Sequence, residues 1–187
     1  MEIIYRELAA DEIAPALFND FVRRQEVKRC WRKSNGEWVL KDIAFIDDWS
    51  RDDYLKLVDD LKRTVREGGF LCAAFAGGVL KGFCAVGGVL KGFCAVDGVL
   101  KGSHGQYADL EAIHVSADMR GHGMGRGLFS RAAQFARALG AKWLYMSTHS
   151  AEESHAFYVA MGCAEAEEYL REHVEAEPCD VQMQFEL

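Results

Sequence analysis

The run Arg120-Gly121-His122-Gly123-Met124-Gly125-Arg126-Gly127 puts a glycine at every second position, between an apolar stretch, Leu110 to Val115, and an amphipathic one, Leu128 to Leu139. Lacking Cβ atoms, such a turn lets successive backbone N–H groups converge on one space. A helix that starts there adds its own unpaired N–H groups and the positive end of its dipole. Arg120 and Arg126 contribute two formal charges. The chemistry predicted is anion binding of the kind that holds a phosphate or pyrophosphate. Cradles of this kind differ in spacing. A P-loop would close with Gly-Lys-Ser/Thr where this chain has Gly125-Arg126-Gly127, so magnesium–nucleotide chemistry lacks its lysine and its hydroxyl. A dinucleotide fingerprint needs its third glycine where Arg126 stands.

A third pattern, Arg/Gln-x-x-Gly-x-Gly/Ala after a strand, is met by Arg120, Gly123 and Gly125. On these residues the chain resembles the GNAT superfamily of N-acetyltransferases, whose members hold the pyrophosphate of acetyl-CoA in this turn. The likeness covers Leu110 to Cys163 well and the N-terminal third in outline. It implies an α+β fold with a mixed central sheet of about seven strands, an antiparallel meander followed by two splayed parallel strands, flanked by about four helices. Acetyl-CoA is then the acyl donor, with no metal, and its binding residues are Ile113, His114, Val115, Arg120, Gly121, His122, Gly123, Met124, Gly125, Arg126, Ser154 and Tyr158. The N–H of Ile113 would face the thioester carbonyl, where negative charge grows as an amine attacks.

Attack needs a neutral amine, whereas most free amines are ammonium ions at neutral pH, so a base is useful. Period-two alternation puts Asp109, Glu111, Ile113 and Val115 on one side of a strand. The resemblance implies a carboxylate base there, Glu111 first and Asp109 second, or a carboxylate that only orients the acceptor while water carries the proton. His114 falls on the opposite side, as a packed histidine. Phe157-Tyr158-x-x-x-Gly162 resembles the family's Phe/Leu-Tyr-x-x-x-Gly-Phe, whose tyrosine is the acid for the departing thiolate. Ala151 stands where many members carry an asparagine that contacts the cofactor, which leaves Ser150 or Ser154 to supply a hydroxyl.

These residues need elements to hold them. A strand is expected at Ile3 to Leu8, then a helix capped by Asp11 and running through Pro15, Phe18, Phe21 and Val22 to near Glu26. Asn35-Gly36 predicts a tight hairpin between Arg29–Lys33 and Glu37–Lys41. Its tryptophans Trp31 and Trp38, with Trp49 beyond, either line a pocket for a cationic acceptor or cover the core from outside, and Asp47 and Asp48 either favour the dipole of the helix that follows or face the acceptor's ammonium group. Ser50, with Asp53 three residues on, opens a helix whose stripe is Leu55, Val58, Leu61 and Val65. Strands follow at Phe70–Ala76, Ala108–Val115 and Trp143–Ser147, with helices after the glycine turn and at Glu152–Met161. Cys163–Tyr169 and Val181–Leu187 read as a last hairpin, the latter an edge that could pair across a homodimer.

Residues 78–87 recur at 88–97 with Asp97 for the last glycine, a tandem ten-residue duplication inside the sheet. One more strand would reverse every later one, so the extra copy is expected to be absorbed without a net reversal, as a longer hairpin around Gly87-Gly88 or as a loop.

At 187 residues, half of them hydrophobic and only two proline, the chain reads as one domain over 1–187. It shows no linker, leader or membrane-length apolar run, which predicts a cytoplasmic protein without membrane partners. The cysteines, at 30, 72, 84, 94, 163 and 179, form no C-x-x-C pair and read as reduced thiols. The histidines lack metal-ligand spacing. A net charge of −7 argues against nucleic acid and mildly favours cationic amines. The function expected is acetyl transfer to a primary amine of a small, cationic acceptor in a ternary complex. A non-catalytic acyl-CoA sensor and a protein or peptide N-acetyltransferase are the alternatives.

Overall fold

In a computed structural model that describes residues 2–87 and 100–187, nine strands and four α-helices follow one another as β1 (Ile3–Glu7), β2 (Gln25–Ser34), β3 (Glu37–Asp47), α1 (Arg51–Arg66), β4 (Phe70–Ala76), β5 (Val79–Val86), β6 (Tyr107–Val115), α2 (Met124–Ala138), β7 (Trp143–Thr148), α3 (Glu152–Ala160), β8 (Ala164–Glu165), α4 (Arg171–Ala176) and β9 (Val181–Glu186). Seven strands form one sheet in the order β1-β4-β5-β6-β7-β9-β8, and β2 and β3 form a separate ribbon. Among the described strands only β6 and β7 run parallel. This is the mixed α+β sheet that the resemblance implied, in the order it implied.

Local chemistry explains the elements. Asn35 and Gly36, at φ 52° and 88°, make the two-residue turn that closes the β2–β3 ribbon. Ser50 caps α1 by accepting from the Asp53 N–H, while the Asp53 carboxylate accepts from the Ser50 N–H, a reciprocal pair that satisfies two orphan donors. Its buried stripe is Val58, Leu61 and Thr64, and Leu55 is exposed, so the stripe is rotated from the one expected. Between sheet and α2 lies one core, around Leu128, Phe129, Ala132, Leu144 and Met146. The opposite face is covered by α1 and by Ile13, Phe18 and Phe21.

Three expectations need correcting. The helix expected to end near Glu26 is only a 3₁₀ turn, Pro15–Phe18. Beyond it the end of β6 captures the chain: the Val22 N–H donates to Ser116 Oγ at 2.9 Å and its carbonyl accepts from the Ala117 N–H at 2.8 Å, taking the groups a helix would use. The last hairpin is also shorter than expected, since β8 spans two residues before the chain turns into α4. Nor is β9 an edge, because β7 pairs along one side and β8 covers Met183 and Gln184 on the other.

The first repeat copy supplies β5, entered through Gly77 and Gly78 at positive φ. Neighbouring strands β5 and β6 are antiparallel, so β6 keeps the sense that the expectation required. The whole of the second copy, 88–97, and the start of the third lie outside the described residues. Cys30, Cys72, Cys84 and Cys163 are buried free thiols and Cys179 is exposed; Cys94 lies outside the described residues.

Candidate active site

Parallel pairing of β6 with β7 stops after Tyr107–Trp143, Ala108–Leu144 and Asp109–Tyr145. Beyond these pairs a cleft of about 850 Å³ opens, lined by Leu110 to Val115, by Ser147 and His149, and by the turn into α2. Its far walls come from Arg23, Gln25, Glu26, Asp47, Trp49, α3 and the turn before β9.

The glycine turn is built as an open cradle. Gly121 and Gly123 sit at φ 80° and 79°, a conformation that L side chains rarely adopt, and a Cβ on either would meet nothing within 4 Å. The first helical backbone bond runs from the Gly127 N–H to the Gly123 carbonyl, so the N–H groups from Gly121 to Arg126 find no backbone acceptor among the described residues. Met124 is buried as an anchor beneath, and Gly125 presses its backbone against Phe157, 3.1 Å from an added Cβ. Arg126 is exposed on the cleft. Arg120 also reaches it, but its guanidinium is engaged, donating to the carbonyls of Val115 and Arg23 at 3.3 and 3.0 Å. His122 Nδ1 lies 3.0 Å from the Arg120 carbonyl, and its ring is not part of the cleft wall.

A β-bulge decides which side chains of β6 enter the site. Pairing with β5 steps from Ala85–Ala112 to Val86–Leu110, leaving Glu111 as the extra residue. The alternation therefore changes face there, and Asp109 and Glu111 do not share a side with Ile113 and Val115, as strict period two required. Ile113 and Val115 pack toward α2, and Ala112 toward α1. Glu111 turns to α1, where Thr64 Oγ1 donates to its Oε2 at 2.6 Å. Desolvation raises its pKa, partly countered by that hydrogen bond.

Asp109 is away from the cleft. It is 3% exposed, and its Oδ2 accepts from Lys101 Nζ at 2.6 Å and faces His173 Nε2 at 2.9 Å. Desolvation alone would raise its pKa, but His173 and Lys101 together hold it below the ordinary value. Asp109, Glu172 and His173 bring their donor atoms within 4.8 Å of one another, in the manner of a metal site. Lys101 bridges Asp109 and Glu172 and supplies the positive charge there.

His114 is packed, as expected, against Trp49 and Phe83 at 4.7 and 5.3 Å between ring centroids. Burial, with Arg23 and Arg120 nearby, drives its pKa down to about 3, so it is a neutral wall. Tyr158 is 8% exposed, on the cleft, with its ring edge-on to Phe129 and Phe157. Its hydroxyl makes no hydrogen bond among the described residues, and burial, with Cys163 and Asp180 adding, raises its pKa strongly. Ser154 lines the cleft too. Ser150 does not, for its Oγ accepts from Arg32 Nη1 at 2.6 Å. Ala151 is fully buried in a bridge to Cys30, which explains why no long side chain stands there.

Of the five acceptor-side candidates, Asp47 and Trp49 reach the cleft. Asp47 Oδ2 accepts from Arg23 Nη2 at 2.5 Å, and the Arg23 guanidinium lies over the Trp49 ring at 5.1 Å. Trp31 packs against His155, Trp38 lies under Lys33, and Asp48 accepts from the Trp49 N–H, all outside it. The tryptophans of the ribbon thus cover the core from outside. Sequence reasoning missed Arg23, hidden in the segment expected to be helical, and His149, Glu177 and Asp180. The last three stand where β7 ends and β9 begins, a place that the antiparallel pairing of Thr148 with Val181 makes adjacent.

The sequence profile described as the acetyltransferase (GNAT) family matches residues 23–163. The chain belongs to the acetyltransferase (GNAT) family. No curated protein matches the sequence significantly. Among solved structures, nourseothricin acetyltransferase superposes with a TM-score of 0.70 at 16% identity, covering 100% of this chain and 99% of that one. A protein of Bacillus anthracis described as a streptothricin acetyltransferase, in complex with acetyl coenzyme A, gives 0.70 at 15%, with the same coverage. The PaiA N-acetyltransferase of Thermoplasma acidophilum, in complex with coenzyme A, gives 0.59 at 14% over the whole of both chains. At these identities the likeness is one of fold. No helix among the described residues is long and apolar enough to cross a membrane.

Proposed function

We propose that this GNAT acetyltransferase moves the acetyl group of acetyl-CoA directly to a primary amine of a small cationic acceptor. The observation that carries this reading is one continuous cleft joining the open glycine cradle, the gap between β6 and β7, and a lining rich in carboxylates: Glu26, Asp47, Glu111, Glu153, Glu177 and Asp180. The donor fits what is present. Unpaired N–H groups from Gly121 to Arg126, with the α2 dipole and Arg126, suit a pyrophosphate, and the space above Gly121 and Gly123 is free of side chains. Met124, buried beneath, and Arg120, tied to two carbonyls, stiffen the turn rather than grip an anion. Bound acetyl-CoA supplies an activated thioester.

The backbone of Ile113, His114 and Val115 borders the gap and is assigned to the pantetheine arm, with Ser154 on the facing helix. Preorganised N–H groups there stabilise charge developing on the carbonyl oxygen without reorganisation. Glu111 takes the proton of the acceptor's ammonium group, its carboxylate steadied by Thr64 and its raised pKa better matched to an amine than an ordinary glutamate. Tyr158, whose raised pKa keeps it protonated at neutral pH, donates to the departing thiolate. Asp109 drops out of this set because Lys101 and His173 already hold it away from the cleft. Asp47 and Trp49 shape the acceptor side.

The test is free-thiol release from acetyl-CoA across polyamines, aminoglycosides, streptothricins, amino acids and short peptides. Turnover selective for compact cationic amines is expected. Coenzyme A binding without thiol release for any amine would overturn catalysis and leave an acyl-CoA sensor, and turnover confined to peptides would overturn the small acceptor.

A further inference from the structure

Glu177 and Asp180 leave one turn between α4 and β9, where the Asp180 N–H donates to the Glu177 carbonyl at 3.0 Å. The Glu177 carboxylate is close enough to Asp180 to disfavour a second negative charge there. Both line the cleft. Of the other carboxylates on the cleft, Asp47 has Arg23 at 2.5 Å, while Glu26, Glu111 and Glu153 have no lysine, arginine or histidine nitrogen within 4 Å among the described residues. Among the described residues no lysine, arginine or histidine nitrogen comes within 4 Å of either Glu177 or Asp180. Beside them on the cleft is the Tyr158 hydroxyl, on a side chain more than nine-tenths buried and without a protein partner. An acid pair without a cation and the hydroxyl of a buried tyrosine, itself without a protein partner, thus face one empty volume.

Position separates this pair from Glu111. The sheet order is β6-β7-β9, with Glu111 on β6 and Asp180 immediately before β9. Neighbouring strands lie about 4.8 Å apart, so the two carboxylate positions are separated by roughly 10 Å or more where β6 and β7 part. One ammonium group cannot serve both. We infer that the Glu177–Asp180 pair is a second cation subsite, holding an ammonium group of the acceptor other than the one acetylated. The acceptor is then a compact molecule with at least two amines. This rests on the transferase reading above, which puts the reacting amine at Glu111.

The protonation state supports the role. Burial first, and then the Glu177 carboxylate, push Asp180 up to about 8, so at neutral pH the empty pair shares one proton. The groups facing it are Glu177 from its own turn, Arg32 of β2, the Ser150 N–H and His149 after β7, and Tyr158 of α3. Of these, burial depresses the pKa of His149, and Arg32 donates to the Trp31 carbonyl and to Ser150. A docked ammonium group favours the ionised pair. Binding below pH 8 therefore releases a proton, and affinity rises with pH as the pair ionises.

Calorimetric titration of α,ω-diamines and of monoamines of the same chain length into the full chain saturated with coenzyme A tests this, in buffers of different ionisation heat. Diamines should bind about ten- to a hundred-fold more tightly than monoamines, with proton release, and Glu177→Gln or Asp180→Asn should remove that margin while leaving coenzyme A affinity unchanged. Glu177 is exposed, so its variant keeps the test open should Asp180→Asn fail to fold. Equal affinity for both amine classes, or no change in either variant, overturns the subsite. Diamine binding that depends on the pair but leads to no acetyl transfer sustains the subsite and overturns the transferase reading. Transfer to monoamines as efficient as to diamines sustains the transferase and overturns the subsite.

Discussion

Gly123→Ala and Gly36→Ala form a matched pair of perturbations. Both glycines are left-handed, at φ 79° and 88°, and an added Cβ meets nothing within 4 Å at either. An L residue in that conformation costs about 1–2 kcal/mol, and stiffening the unfolded chain returns about 0.4–1, which leaves a net loss near 1 kcal/mol for each. For a chain of this length that lowers Tm by about 2–4 °C. The two should melt alike. They should part in coenzyme A binding: Gly123 belongs to the cradle of unpaired N–H groups on the cleft, whose open space a methyl group would enter, whereas Gly36 is at the tip of the β2–β3 ribbon, away from the cleft. Losing one hydrogen bond to a charged phosphate costs about 1.5–3 kcal/mol, so Kd should rise about ten- to a hundred-fold for Gly123→Ala and stay at the wild-type value for Gly36→Ala. Thermal unfolding and calorimetric titration with coenzyme A measure both numbers. Unchanged affinity in Gly123→Ala, or an equal loss in both, would refute the cradle.

Tyr158→Phe should cut kcat by about 10²–10⁴-fold with little change in coenzyme A affinity, measured by thiol release and calorimetry, and equal turnover would remove it as the acid. Thr64→Val deletes the hydrogen bond that favours the ionised Glu111, so its carboxyl pKa should climb further and the acid limb of kcat/KM move to higher pH; an unmoved limb would put the base elsewhere. His173 has its pKa raised chiefly by its hydrogen bond to Asp109. The stability it contributes is complete below the unfolded value of about 6.5 and is lost as pH rises through the raised folded value. Urea midpoints of the wild type should therefore fall more steeply above neutrality than those of His173→Asn, and parallel curves would show that the pair adds nothing.

What could be read in the sequence was whatever local spacing specifies. The Ser50–Asp53 cap and the Asn35-Gly36 turn depend on residues a few positions apart and formed as written; the glycine run also makes its turn, but only as far as Gly123, with Gly125 and Gly127 in the first turns of α2. Asp109 and Glu111 show where spacing fails. A bulge is a property of the β5–β6 pair, and Glu111 carries nothing in its own neighbourhood that announces one. The helix expected after Pro15 was lost to tertiary competition, Ser116 offering Val22 a partner from far along the chain. Arg23 entered the site by the same route. Glu177 and Asp180 follow a short helix that no apolar periodicity marked, although a strand beginning at Val181 beside the end of Trp143–Ser147 would have brought them to the site by topology alone.

Three rungs join β6 to β7, and just before them the Gln106 carbonyl accepts from the Lys142 and Trp143 N–H groups, so the backbone ties between the two halves of the described sheet sit at one end of these strands. Mechanically, β1-β4-β5-β6 and β7-β9-β8 are two plates meeting at a short hinge, with the cleft as the angle between them. A ligand wedged into that angle sets it. Occupancy of the cleft should therefore slow amide exchange in β8 and β9, which lie beyond β7 from the gap, through the rotation it forbids.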